Sequence, residues 1–186
     1  PIPEYALLEM PNVFCRYDDD LNRRLGGLPC FGSLYVDNLQ EFSLLSLKKV
    51  SPKLLQDIFI FDYWVMNDDR NYTAHGGKPN RFVDPSGKDV CVVDHNLAFS
   101  QDIDFNKFKE LHVGRNAWYS EAEQGLLIVL EYQARMSAAL TDCGNLIRLI
   151  PEEWFEEDGS SREYFDEILM PRLMQFNTEN FWRLLL

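Results

Sequence analysis

Between two apolar stretches, SPKLLQDIFIFDYWVM and RFV, residues 67–80 read NDDRNYTAHGGKPN. The segment holds two adjacent acids, an arginine, three asparagines, a histidine and a glycine pair. A further apolar run, VCVV, ends directly in Asp94-His95-Asn96. Asp69, Asn80 and Asp94 are therefore three oxygen-bearing side chains that one reversal of the chain can bring together. A carboxylate that orients or deprotonates a hydroxyl, with an Asn and an Asp as hard oxygen ligands, suits Mg²⁺-dependent phosphoryl transfer. Magnesium takes one or two protein oxygens, keeps its other positions for water and phosphate, and offsets phosphoryl charge. The same residues also fit a plainer role. Asn67, Asp68 and Asp69 can form a helix C-cap and turn, while Asp84 and Asp94 simply end strands. A metal-hydrolase set of His75, Asp94 and His95 is disfavoured, because adjacent strand residues point to opposite faces.

The elements that must position these residues are legible around them. Ser51-Pro52 is a helix start, with Ser as N-cap and Pro at the first helical position. Leu54, Ile58, Phe61 and Val65 recur at helical spacing, and Leu55 and Phe59 widen the stripe, which predicts a core helix ending near Asn67. RFV-DPSG-KDVCVV predicts two short strands around a turn at Asp84-Pro85-Ser86-Gly87, so that Asp94 returns towards the loop. Upstream, YALLEM predicts a buried strand in the first ten residues. Residues 11–33, with Asp18, Asp19, Asp20, Gly26, Gly27 and Pro29, predict a long irregular connection; 34–50 carry no clear pattern. Downstream, helices are expected over 105–112, 121–140, 142–150, 162–175 and 177–185, with an acidic linker at 156–161 and Trp154 and Trp182 in the core. The order predicts an α+β chain dominated by helix, one domain over 1–186.

Composition narrows the function classes. Eighteen Lys and Arg stand against 30 Asp and Glu, a net charge of −12, which argues against a phosphate-binding nucleic-acid surface or docking on anionic membranes. No apolar run reaches the roughly 20 residues needed to cross a bilayer, and the N-terminus lacks the basic and apolar regions of a secretory signal. The four cysteines, at 15, 30, 91 and 143, form no CxxC pair and fit reduced cytoplasmic thiols.

The residues also carry a resemblance. WVMNDDRN, GGKPN and VVDHNLAF follow one another, over about residues 62–99, in the order of the catalytic stretch of HipA-like kinases. PIPEYALLEMP at the start and LIPEEW at 149–154 extend the resemblance more weakly, and Phe31-Gly32-Ser33 resembles a recurring segment of the family. The resemblance implies a kinase-like C-terminal lobe, mostly helical, with a small β-hairpin carrying the metal site. It implies ATP and Mg²⁺ as cofactors and transfer of the γ-phosphate to a protein Ser/Thr hydroxyl. By position, Asp69 matches the catalytic aspartate, while Asn80 and Asp94 match the metal ligands. Leu8-Glu9-Met10 matches the hinge strand over 1–11, so backbone groups of Glu9 and Met10 would meet the adenine edge. Arg70 and His95 match supporting residues; a loop-bracing ion pair for Arg70 and a structural hydrogen bond for His95 are the favoured roles. Lys78 sits where the family's turn often carries a further Asn.

No GxGxxG or GxxxxGK[ST] phosphate loop occurs, and Gly26, Gly27, Lys48 and Lys49 all follow the hinge match. The expectation is a C-terminal lobe whose ATP-binding lobe comes from upstream sequence or a partner chain, with an antitoxin partner implied by the family. The alternative is a kinase-like module that binds or regulates without catalysis.

Overall fold

The computed structural model describes residues 2–9, 11, 13, 16–17, 19–25, 29–41, 47–71, 81–83, 90–100, 102–121, 125–157 and 162–185. In chain order the elements are β1 (Tyr5–Glu9), α1 (Asp19–Leu25), β2 (Pro29–Ser33), β3 (Gln40–Glu41), α2 (Pro52–Trp64), β4 (Arg81–Val83) and β5 (Val90–Val92). Helices follow: α3 (Phe105–Leu111), α4 (Arg115–Glu121), α5 (Leu126–Leu140), α6 (Cys143–Ile147), α7 (Glu152–Glu157) and α8 (Arg162–Tyr164). A π-helical stretch (Phe165–Leu169), α9 (Met170–Leu173), a 3₁₀ turn (Met174–Asn177) and α10 (Glu179–Arg183) complete the order. The fold is mixed and mostly helical, with two small antiparallel sheets among the described residues, β1-β2 and β3-β4-β5.

Helix α2 is the axis of the core. Ser51 caps it, its Oγ accepting the Leu54 N–H at 3.2 Å, and Pro52 occupies the first turn, where its missing donor costs nothing. Its C-terminus closes in a Schellman arrangement: the Met66 N–H donates to Tyr63 O (3.2 Å) and the Asn67 N–H to Asp62 O (2.8 Å). Met66 sits at φ 55°, a left-handed position more often given to glycine. One side of α2 gives Phe59, Ile60 and Tyr63 to a cluster with Phe108, Trp118, Tyr132, Phe176 and Trp182. Its other side gives Leu55 and Ile58 to a smaller cluster with Val90, Val92 and Val113. All three residues of β5 are buried, so the strand is covered on both faces and delivers Val93 and Asp94 from a fixed position.

Strands β4 and β5 pair antiparallel as the sequence predicts, in the register Arg81↔Val92 to Val83↔Val90, and β3 adds a third strand through Gln40↔Val83; the turn expected at 84–87 lies outside the described residues. Other expectations need correction. β1 is a strand but not a buried one, since all five of its residues are exposed. It pairs with β2 from Tyr5↔Ser33 to Glu9↔Pro29, so residues 11–33 hold a helix and a strand and are not one irregular connection. Helix α4 lies where no helix was expected, and α7 runs into the segment read as an acidic linker. Phe61, counted in the apolar stripe of α2, lies on its exposed side. Trp182 is buried as expected, whereas Trp154 is half-buried.

Gly114, in the turn between α3 and α4, marks how closely the backbone packs on α2. A Cβ there would collide with the Leu55 carbonyl oxygen and lie 2.8 Å from Phe59 Cβ. Gly114→Ala is expected to destabilise the fold by about 2 kcal/mol, as overpacking of a filled site does, read as a lower urea midpoint at unchanged m-value. An unaltered midpoint would show that α2 can retreat freely from the turn.

Candidate functional site

Asp62 is an acid inside a core helix, and its side chain is fully buried. A buried carboxylate must be surrounded by donors, and two segments supply them. Arg70 Nη1 donates to Oδ1 in a buried ion pair, and Asn67 Nδ2 donates to the same oxygen at 3.1 Å. His112 Nε2 meets Oδ2 at 2.9 Å. Asn67 then passes the order on, its Oδ1 accepting the Asp69 N–H at 3.4 Å. Asn71 Nδ2 donates to Asp68 O, and Asn71 bridges His112 as an isolated antiparallel pair. Asp69 is thus half-buried in a loop whose backbone is held on both sides of it.

Arg70 joins this loop to the end of β5. Its Nη2 donates to Val93 O at 3.0 Å, one residue before Asp94. Burial pulls its guanidinium below the usual arginine range, and the charges of Asp62, Asp69 and Asp94 oppose that shift. Both candidate carboxylates therefore act on one fixed cation. Asp94 is solvent-exposed and adopts φ 56°, a left-handed conformation that Asp tolerates better than most residues. His95 packs edge-on against Phe61, with ring centroids 5.7 Å apart. Burial first, then Arg70, pushes its imidazole below its ordinary range, so it stays neutral at pH 7. Its Nε2 is buried with no hydrogen-bond partner among the described residues.

Beside this cluster lies an apolar cavity of about 310 Å³, lined by Pro3, Ser33, Leu34, Tyr35, Val36, Leu39, Cys91 and Val93. Its size falls at the lower end of the ~300–1,000 Å³ typical of small-molecule sites. Glu9, expected at the adenine edge, is not among these residues; it lies in β1, paired with Pro29. Met10, Asn80 and His75 fall outside the described residues. The described residues contain no cluster of three or more His, Cys, Asp or Glu able to hold a metal by themselves. Of the expected ligands, Asp94 is described, and its exposed carboxylate is a hard oxygen donor of the kind that Mg²⁺ takes.

A family model described as HipA-like kinase matches residues 1–185. The chain belongs to the HipA-like kinase family. Comparison with curated proteins gave no match, and comparison with solved structures gave none.

The structure brings Asp69, Arg70, Asp94 and His95 together; what the sequence reading missed is the group that holds them. Asn67, expected in a helix C-cap and turn, closes the cap of α2 and also bonds the Asp62 carboxylate. Asp62 and His112 carry no expected role, although one signal for Asp62 is present. An acid in the middle of IFIFDYWVM cannot reach water and demands a partner. Replacing Arg70 alone, as in Arg70→Leu, leaves that carboxylate buried without its cation and is expected to cost about 4 kcal/mol. Adding Asp62→Asn should recover a large part of the loss in urea denaturation. Additive losses in the double variant would show that the pair is not coupled.

Proposed function

We propose that this chain carries the catalytic face of an ATP- and Mg²⁺-dependent protein Ser/Thr kinase, with the architecture of a kinase C-terminal lobe. The observation that supports it most is that buried Arg70, bonded to Asp62 and to Val93 O, joins the loop of Asp69 to the strand end that precedes Asp94, beside an apolar cavity. In this reading the cavity takes the adenine ring, with Cys91 and Val93 at its floor and the 33–36 segment at its rim. Asp94, at the strand end next to that floor, and Asn80, by family resemblance, would hold the metal. Bound Mg²⁺ would supply neutralisation of charge on the phosphoryl oxygens. Asp69 orients the acceptor hydroxyl and receives its proton as the new P–O bond forms and the β–γ bridge breaks. Arg70 fixes the separation of the two carboxylates through its bonds to Asp62 and Val93 O. His95, kept neutral, braces the Asp94 turn against Phe61 without adding positive charge. A cytoplasmic location and a role within a toxin–antitoxin pair belong to the same proposal.

One observation favours a second reading, that of a binding or regulatory module. The β1-β2 ribbon exposes Tyr5 (57%), Leu7, Leu8 and Phe31 (61%), an apolar surface suited to a partner lobe or chain. Transfer of radiolabelled phosphate from ATP by the complete protein separates the readings. Asp69→Asn and Asp94→Asn are each expected to lower the rate at least ~100-fold, since positioning and charge stabilisation supply nearly all of this catalysis. Transfer at wild-type rate by both variants rules the catalytic reading out. ATP binding by calorimetry without any transfer would favour the module.

A further inference from the structure

We infer that His112 is a positioning residue for the loop that carries Asp69, acting through Asp62 and Arg70. Its kinetic consequence rests on the phosphoryl-transfer reading; its mechanical one does not. The ring is fully buried, 5.1 Å from the Phe59 ring and 4.8 Å from the Phe108 ring by centroid. Aromatic packing alone does not require a histidine there. The two ring nitrogens are what the site uses. Nδ1 accepts the Gly114 N–H at 3.0 Å, which leaves the ring's proton on Nε2, where it donates to Asp62 Oδ2. That bond occupies the second carboxylate oxygen and directs the first at Arg70 Nη1 and Asn67 Nδ2. Gly114 is in turn pressed on Leu55 and Phe59 of α2, so the donor that fixes the tautomer cannot drift.

The same short segment returns to the loop by its backbone. His112 bridges Asn71, and the Val113 N–H meets Arg70 O at 3.4 Å. Arg70 is therefore held at its guanidinium by Asp62 and Val93 O and at its carbonyl by the residue after His112. Releasing Nε2 from Asp62 frees the carboxylate to turn about its last bond. The Arg70 fork then loses the reference that aligns Asp69 with Asp94. Ground-state binding of a nucleotide in the cavity does not depend on that alignment, whereas transfer does.

Two replacements isolate this role in the complete protein. His112→Phe keeps the ring and removes both bonds; His112→Gln keeps an N–H donor at the Nε2 position. Hydrogen exchange by mass spectrometry is expected to show amides of 67–71 exchanging about tenfold faster in His112→Phe, with α5 unchanged. His112→Gln should return them to within about threefold of wild type. Wild-type protection at 67–71 in the Phe variant would overturn the inference. So would an equal loss in α5, or a Gln variant no better protected than Phe. Where the protein transfers phosphate, kcat should fall at least ~10-fold in His112→Phe while KM for ATP stays within about twofold, with Gln restoring most of kcat. A parallel change in KM, or no change in kcat, would equally count against it. If no transfer occurs at all, the kinase reading fails while the exchange measurement still decides the role of His112.

Discussion

A carboxylate cut off from water has to be met by donors from every side, and Asp62 imposes that demand at the centre of this chain. Its position is fixed by the helix cap itself, because Asp62 is the residue whose carbonyl receives the Asn67 N–H in the closing turn of α2. Backbone and side chain of one residue thus determine where the polar loop begins and which way it faces. Asn67 and Arg70 from the polar loop and His112 from the turn after α3 then answer the charge. Packing of the two apolar clusters holds α2 in place; the polar centre converts that rigidity into the placement of Asp69 and Asp94. A buried pair of this kind is not itself a source of much stability, since desolvation offsets most of the attraction. What it contributes is a defined arrangement of parts.

Much of this arrangement could be read from the residues, and the gaps have physical reasons. Helix α2 announces itself through Ser51-Pro52 and its apolar spacing, and the pairing of β4 with β5 through two short apolar runs close in sequence, because both signals are local. The β1-β2 ribbon stayed hidden because PCFGS contains Pro and Gly, which strands seldom favour, and its partner lies 20 or so residues away in sequence. Asp19 and Asp20, read as part of an acidic loop, occupy the first turn of α1, where the helix dipole favours negative charge. The seven residues of α4 follow Val113-Gly114 without the Ser-Pro start that marks α2. His112 had no local signature at all. A single histidine in ELHVGRN gains meaning only when folding sets it against an acid 50 residues earlier.

The cavity shows a different lesson. Its walls come from segments that share no motif: Pro3, the 33–36 stretch, Leu39, the buried Cys91 in the middle of β5 and the half-buried Val93 just beyond the strand's end. Backbone placement and apolar shape define such a site, so side-chain identity carries little of the information. Chemistry-bearing residues are easier to find from sequence than the surfaces that would orient a substrate beside them.

All four tryptophans donate their indole N–H to a backbone carbonyl: Trp64 to Leu173, Trp118 to Leu185, Trp154 to Pro29 and Trp182 to Phe176. Three of these join parts of the helical body, while Trp154 reaches from α7 to the first residue of β2. The chain therefore carries an intrinsic optical reporter at the point where ribbon and helices meet. Emission from Trp118 and Trp182, both buried, follows the integrity of the core. The half-buried indole of Trp154 answers to the attachment of the ribbon, so loosening of that edge and melting of the body are spectroscopically separable events.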